Sequence, residues 1–351
     1  MRGFANRELA LLSVITVYLM KTLGMQKKSL WFFSRPWVNQ SLIAAVLMLF
    51  SVVLPAKPQT PQLTATTLEP QIFQHCRFSG QRCLQHIDRF LLAATLESRY
   101  WFELMLLKLD SLFILQRDAE LYALTSKLVL KDDLPAAFKA RLYIYHAKVL
   151  YGRQQKASAN EFLLQATDLL NQLHQAMPNP LTQLRLINVQ IYGDGDYQAG
   201  FQQLLQLEKQ LEKSRDAVLK YDLYNNMGHY TRFMQRTTES LHYRKLALQA
   251  IQQIDHPHKM AEAHYNLART YSFLLQWTAA EIHFAAALWH YHSIDDTVML
   301  NQSLMYLAEA MWLQQRKTAA SALFQRVLPA KIPNSSQPFF ARIAALLSTD
   351  D

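Results

Sequence analysis

The sequence predicts an all-α protein made of antiparallel helical hairpins stacked side by side. Three observations carry that expectation. The 351 residues include only 8 Gly and 12 Pro, while half of the chain is hydrophobic. So few turn formers disfavour an all-β fold or a glycine-loop enzyme. The stretch Ala261 to Leu288 reads as two helices, the first reaching about Leu275 and the second starting near Thr278, with apolar residues at helical spacing. Its pattern then returns every 40 residues.

Within that hairpin, small residues at Ala268 and Ala280 permit close approach, and Leu267, Tyr271, Phe284 and Leu288 fill the space between the helices. One hairpin leaves an apolar face open to water, so copies must stack on it. Stepping by the same period finds them. Gly200, Ser240, Ala280 and Ala320 form a small column; Ile187, Met227, Leu267 and Leu307 an apolar one. Asn188, Gly228, Ala268 and Ala308 form a third, and Leu207, Ala247, Ala287 and Val327 a fourth. Two weaker columns, Leu204, Arg244, Phe284, Phe324 and Tyr197, Thr237, Trp277, Lys317, make the second and fourth units degenerate.

Set against the helix–turn–helix pattern W-x2-L-G-x2-Y…A-x3-F, the hairpin presents His264 for Trp, then Leu267, Ala268 for Gly, Tyr271, Ala280 and Phe284. It resembles a tetratricopeptide repeat. The turn Gly195-Asp196-Tyr197 is a further feature of that family. The resemblance spans four units over 181–328 and implies a right-handed superhelical solenoid with a concave groove lined by the first helix of each unit. It also implies a non-enzymatic interaction module.

The elements follow in order. Residues 1–56 are expected to be a signal peptide or membrane anchor. Ser41 to Ala56 is uncharged and apolar, follows Lys27, Lys28 and Arg35, and ends on a small residue, the layout of an export signal. Taken from Trp37, the run 37–56 approaches the roughly 20 residues of an uncleaved membrane helix. Leu9 to Met20 is a second apolar run: a short membrane helix, or a stretch upstream of a true start at Met25. Either way the basic residues stay in the cytoplasm and everything after about residue 57 lies outside it. That means the periplasm of a bacterial-type envelope, with the chain secreted or anchored to the inner membrane. The competing reading is a buried helix of a cytosolic protein.

Residues 57–83 are expected to be a linker, Pro/Thr/Gln-rich to Pro70, and a Cys-bounded loop. Cys76 and Cys83, with Ser79-Gly80 between them, suit a turn that an oxidising compartment would close as a disulfide. Zinc binding with His75 and His86 and a redox-active pair are the competing readings. Residues 84–180 read as degenerate hairpins: one helix from Leu84 to Gln116 with Ala119–Leu130, then Ala136–Gly152 with Ala157–Leu173. Residues 329–351 hold a capping helix, started by Ser335 or Ser336, with Phe339, Ile343, Leu346 and Leu347 on its apolar face.

The net charge is +9, but residues 1–56 contain six basic residues against Glu8 alone, leaving a mild excess elsewhere and no basic cluster. Nucleic-acid binding is not expected. No phosphate-binding glycine loop, nucleophile elbow or H-E-x-x-H motif occurs, so no catalytic residue, cofactor or metal is assigned. Asp194 and Asp196 lack the further acidic ligands of a calcium loop. His256, His258, His264, His283, His290 and His292 gather in the third unit; a shared metal is weighed there against separate packed and surface roles.

Carried through the 40-residue register, the groove would present Arg185, Val189 and Tyr192; Asp222, Asn225, His229 and Arg232; Glu262, Tyr265, Arg269 and Phe273; and Gln302, Met305, Glu309 and Trp312. Arginine can take a carboxylate in two hydrogen bonds and aromatics can bury an apolar side chain. The expected function is a scaffold, exported or membrane-tethered, that holds a protein or peptide partner in this groove. The alternative is an extracytoplasmic sensor domain that binds a small signal and acts through a partner.

Overall fold

Each regular hairpin turns on one residue in the left-handed backbone region. The computed structural model describes residues 65–191 and 195–348. Positive φ occurs at Gly195, Gln235, Leu275 and Gln315, forty residues apart, and also at Gln116 and Gln154. The N–H of Gln235, Leu275 and Gln315 bonds the carbonyl three residues back at 2.8–3.0 Å. The next N–H reaches five residues back: Arg236 to Thr231 at 2.8 Å, Gln276 to Tyr271 at 3.0 Å and Arg316 to Met311 at 3.0 Å. This paired closure is the Schellman motif, which satisfies the last carbonyls of one helix and redirects the chain at once.

Helices α1 (Ala65–Phe78) and α2 (Gly80–Ala93) lead in. The hairpins that follow are α3/α4 (Arg99–Ile114, Asp118–Leu128), α5/α6 (Ala136–Gly152, Lys156–Ala176) and α7/α8 (Pro180–Gln190, Tyr197–Gln210). They continue as α9/α10 (Ala217–Phe233, Thr237–Ile251), α11/α12 (Pro257–Phe273, Trp277–Ser293) and α13/α14 (Thr297–Leu313, Lys317–Phe324), closed by α15 (Gln337–Ser348). No strand occurs among the described residues. The fold is an all-α, TPR-like solenoid of hairpins. The first helix of one hairpin touches the first helix of the next in the pairs α3–α5, α7–α9, α11–α13 and α13–α15, so these helices share one face. Each second helix packs against the first helix of the following hairpin.

The repeat columns lie in the core. Ser240, Ala280 and Ala320 are fully buried, as are Ile187 and Met227, and Gly200 is buried with them. Two glycines are required by close approach. A Cβ on Gly200 would lie 2.3 Å from the Tyr230 ring, and one on Gly228 would lie 2.7 Å from Nε of Arg244. Arg244 occupies the column filled elsewhere by Leu204 and Phe284 and is only 3% exposed. Its guanidinium spends donors on Asn225, on the carbonyl at 3.0 Å and on Oδ1.

The N-terminal part differs from the expectation in two ways. The segment read as linker and Cys-bounded loop is helical from Ala65, and Ser79 alone separates α1 from α2. Cys76 and Cys83 are joined as a disulfide across that junction. The Ser79 hydroxyl accepts from the Arg82 N–H, capping α2, and donates to the Ile294 carbonyl at 2.5 Å. Arg82 pairs with Asp295 at 3.3 Å. The junction therefore docks on the turn between α12 and α13. The single helix expected from Leu84 to Gln116 is broken at Ala94–Ser98, where Glu97 takes φ 57° and the Ser98 hydroxyl caps α3 by accepting from Trp101. No Gly or Pro marks this break, which is why helical periodicity ran through it.

At the other end, Ile343 is fully buried, and Phe339, Leu346 and Leu347 pack on the last core cluster. Ser336 sits in a 3-10 turn, Asn334–Ser336, and accepts from Gln302 at 3.1 Å. The proposed signal or anchor (residues 1–56), the start of the linker, Tyr192 and Asp194 lie outside the described residues.

Candidate functional site

Phe273, at the end of α11, is a large apolar side chain 45% exposed on the face shared by the first helices. Two cations hold it. The Arg232 guanidinium of α9 lies 4.4 Å from its ring centroid and that of Arg269 lies 5.4 Å away. Arg269 also covers the Tyr306 ring of α13 at 3.9 Å and donates to the Tyr265 hydroxyl at 3.3 Å. Stacking of this kind leaves the N–H edges of a guanidinium open to a ligand while fixing its plane. Burial first, and the neighbouring Arg269 charge second, push Arg232 down from its ordinary value. A centre with two adjacent cations favours negative charge.

About two turns back lies a polar row. Oδ1 of Asn225 accepts from the buried Arg244 and from Asn266 at 3.1 Å, so its Nδ2 is turned to Glu262 at 3.4 Å. Beside it, Lys259 pairs with Asp222 at 2.5 Å. Burial, then Arg244 and Arg232, drive His229 well below its usual value, and the imidazole stays neutral.

Arg185 lies further along the same face, within electrostatic reach of Asp222. With Arg141, Ile144, Tyr145, Lys148, Asn188 and Val189 it lines a cavity of about 150 Å³ between α5 and α7. Behind it, both oxygens of Asp110 receive Arg141 at 2.8 Å, and one also receives the Tyr145 hydroxyl.

Of the residues the sequence assigned to the groove, Asn225, His229, Arg232, Glu262, Tyr265, Arg269 and Phe273 share α9 and α11. Tyr265 is largely buried, its hydroxyl reaching Gln302 at 3.4 Å. Trp312 belongs to the core instead: it is 9% exposed, inside the last cluster and covered by Lys317 at 4.9 Å. Val189, Gln302 and Met305 are buried too. On α13 the physical reason is the terminal helix. Phe339 stacks on Tyr306 at 4.1 Å and Arg342 takes Glu309 at 2.5 Å, so α15 occupies the face on which a fixed register placed ligand contacts. Tyr306, Arg141 and Lys148 were not singled out from the sequence. The last two lie where turns are spaced 38 and 41 residues apart, at Gln116, Gln154 and Gly195, which a step of forty misses.

The histidines divide. His264, His283 and His290 come together between α11 and α12: Nδ1 of His264 lies 2.9 Å from Nδ1 of His283, and the His264 and His290 rings stack at 5.8 Å. His256 caps α11 by accepting from Lys259 at 3.4 Å. Among the described residues no group of three His, Cys, Asp or Glu is placed to hold a metal. Asp196 caps α8 by accepting from Ala199 at 2.9 Å.

No protein-family model matches the chain, and no curated protein matches it. Solved structures do. A Rap protein complexed with competence and sporulation factor is 12% identical, covers 82% of this chain and 78% of its own, and superposes with a TM-score of 0.53. The apo form of RapI is 14% identical over 82% of this chain and 77% of its own, with a TM-score of 0.43. BtubC from P. vanneervenii is 14% identical over 81% and 93%, with a TM-score of 0.31. At such identities the likeness concerns the fold alone, a TPR-like helical solenoid.

Proposed function

We propose that this chain is a non-enzymatic scaffold that binds a peptide, free or as a segment of a partner protein, across α9 and α11, with Arg232, Arg269 and Phe273 at the centre. The observation that carries the reading is the exposed Phe273 ring clasped by the guanidiniums of Arg232 and Arg269. An extended ligand would lay an apolar side chain on Phe273 and a carboxylate or main-chain carbonyls on the arginines. The solenoid supports this use, since its first helices form a continuous face, and the structural neighbour of TM-score 0.53 was solved holding a bound factor. The proposal includes a place of action outside the cytoplasm, exported or tethered through residues 37–56. The apolar run behind basic residues and the paired cysteines support that part.

The test is peptide display against the full-length protein, followed by titration of a selected peptide. Arg232→Glu and Arg269→Glu are expected to weaken binding at least about tenfold, the worth of a charge-assisted hydrogen bond, without unfolding the chain. Unchanged affinity in both variants removes this face as the site.

A further inference from the structure

The cavity between α5 and α7 is built differently from the arginine–aromatic centre. Three cationic side chains line it: Arg141, Lys148 and Arg185. The carboxylate behind them, Asp110, is engaged on both oxygens by Arg141 and on one by Tyr145. Arg185 has no carboxylate within ion-pair distance among the described residues. Burial, and then the Arg141 charge, lower its affinity for a proton. Lys148 lies over the Phe113 ring at 4.5 Å and the Tyr145 ring at 6.0 Å. The Asn188 amide completes the lining, with Oδ1 buried and without a hydrogen-bond partner. A side-chain amide also carries two N–H donors. Asp110 and Asp222 support the Arg185 charge only from beyond ion-pair distance. A desolvated positive charge without a partner in contact is costly, and a bound anion would supply that contact. The volume, about 150 Å³, is well under the roughly 300–1,000 Å³ of a pocket for a whole drug-sized ligand. It suits one charged group of a longer molecule.

We propose that this recess is an oxyanion subsite, in which Arg185, Lys148 and Arg141 receive a carboxylate or phosphoryl group of the ligand. The proposal rests on the reading that the first-helix face binds a peptide, and it makes that peptide an acidic one. Arg185 supplies the paired donors, Lys148 a point charge, and Arg141 is held in place by Asp110.

Peptides selected by display on the full-length protein are expected to share an acidic residue. Changing that residue to its amide, or Arg185→Ala in the protein, is expected to weaken binding at least about tenfold; making both changes adds little further loss, as contact between the two requires. The peptide change leaves the protein untouched, so a folding defect cannot imitate it. Lys148 faces Asp110 and Phe113 on α3, Arg141 and Tyr145 on its own helix, and Arg185 on α7. Burial brings it down to about 8, so affinity for the acidic peptide should hold below that pH and fall as pH climbs past it. Lys148→Met should abolish the fall. Equal affinity for the acidic peptide and its amide overturns the subsite while leaving the groove standing. If no peptide is retained, the groove reading fails, and inorganic phosphate decides the recess. A thermal shift that saturates with phosphate and disappears in Arg185→Ala upholds an oxyanion site for a phosphorylated small ligand; no shift overturns it.

Discussion

The Tyr230 hydroxyl donates to the Ile187 carbonyl at 2.7 Å, its ring lying over the bare Cα of Gly200. Three elements meet there: α9 supplies the ring, α7 the acceptor and α8 the glycine. A large side chain on one hairpin thus uses the space that a missing Cβ leaves on its neighbour. Gly200→Ala should destabilise by about 1–3 kcal/mol, the ordinary cost of overpacking a core. Denaturant midpoints check it. Combined with Tyr230→Ala, the two losses should be less than additive; strict additivity would mean that the ring does not set the requirement for glycine.

Leu275 takes φ 58° at the turn between α11 and α12 and is 69% exposed. Gly195 is its counterpart two units earlier. Left-handed backbone costs a non-glycine residue about 1–2 kcal/mol, and little packing is lost with so exposed a side chain. Leu275→Gly should therefore raise stability by about 1 kcal/mol. A lowered melting temperature would place the Leu275 side chain in a contact that matters.

Burial pushes His264, His283 and His290 down to about 3, 4 and 4, with His283 and His290 adding to the effect on His264 and Lys245 to that on His283. Their folded values lie below the unfolded value of about 6.5. Between those limits the unfolded chain binds protons that the folded chain refuses, so stability is full above about pH 6.5 and is lost as pH falls toward 4. The three are coupled and do not add simply. Each refused proton is worth up to about 2 kcal/mol between pH 7 and pH 5, less where a ring is partly exposed. Unfolding free energy should therefore drop by about 2–5 kcal/mol over that range, and His264→Phe should flatten the slope. Superimposable slopes would remove His264 from the acid response.

Ser79 both caps α2 and bonds Ile294 from a buried position. Ser79→Ala should cost about 1–2 kcal/mol. The loss should appear as faster amide exchange in α2 and in the α12–α13 turn together. Exchange that changes in α2 alone would mean the docking contact contributes nothing.

Much of the fold was legible because buried positions repeat. Ser240, Ala280 and Ala320 are small and Ile187, Met227 and Leu267 apolar for the same reason: each lies in an equivalent interface. The site was less legible. Arg244 looked like a flaw in an apolar column, yet Gly228 makes room for it and Asn225 takes its donors, a trade between positions that no single column displays. The break at Ala94–Ser98 carries neither Gly nor Pro. Trp312 and Met305 obey the register but lie in the core, and α15 covers their helix, a contact made by a segment outside the repeat. Arg185 was legible, but Arg141 and Lys148, its partners in the recess, escaped because the early turns depart from the forty-residue step.

The central claim is that a peptide lies along the first helices. Hydrogen exchange of the full-length protein, with and without a display-selected peptide at saturating concentration, tests it directly. Protection on α9 and α11, with α10 and α12 unchanged, is the predicted result; protection confined to the second helices would contradict it.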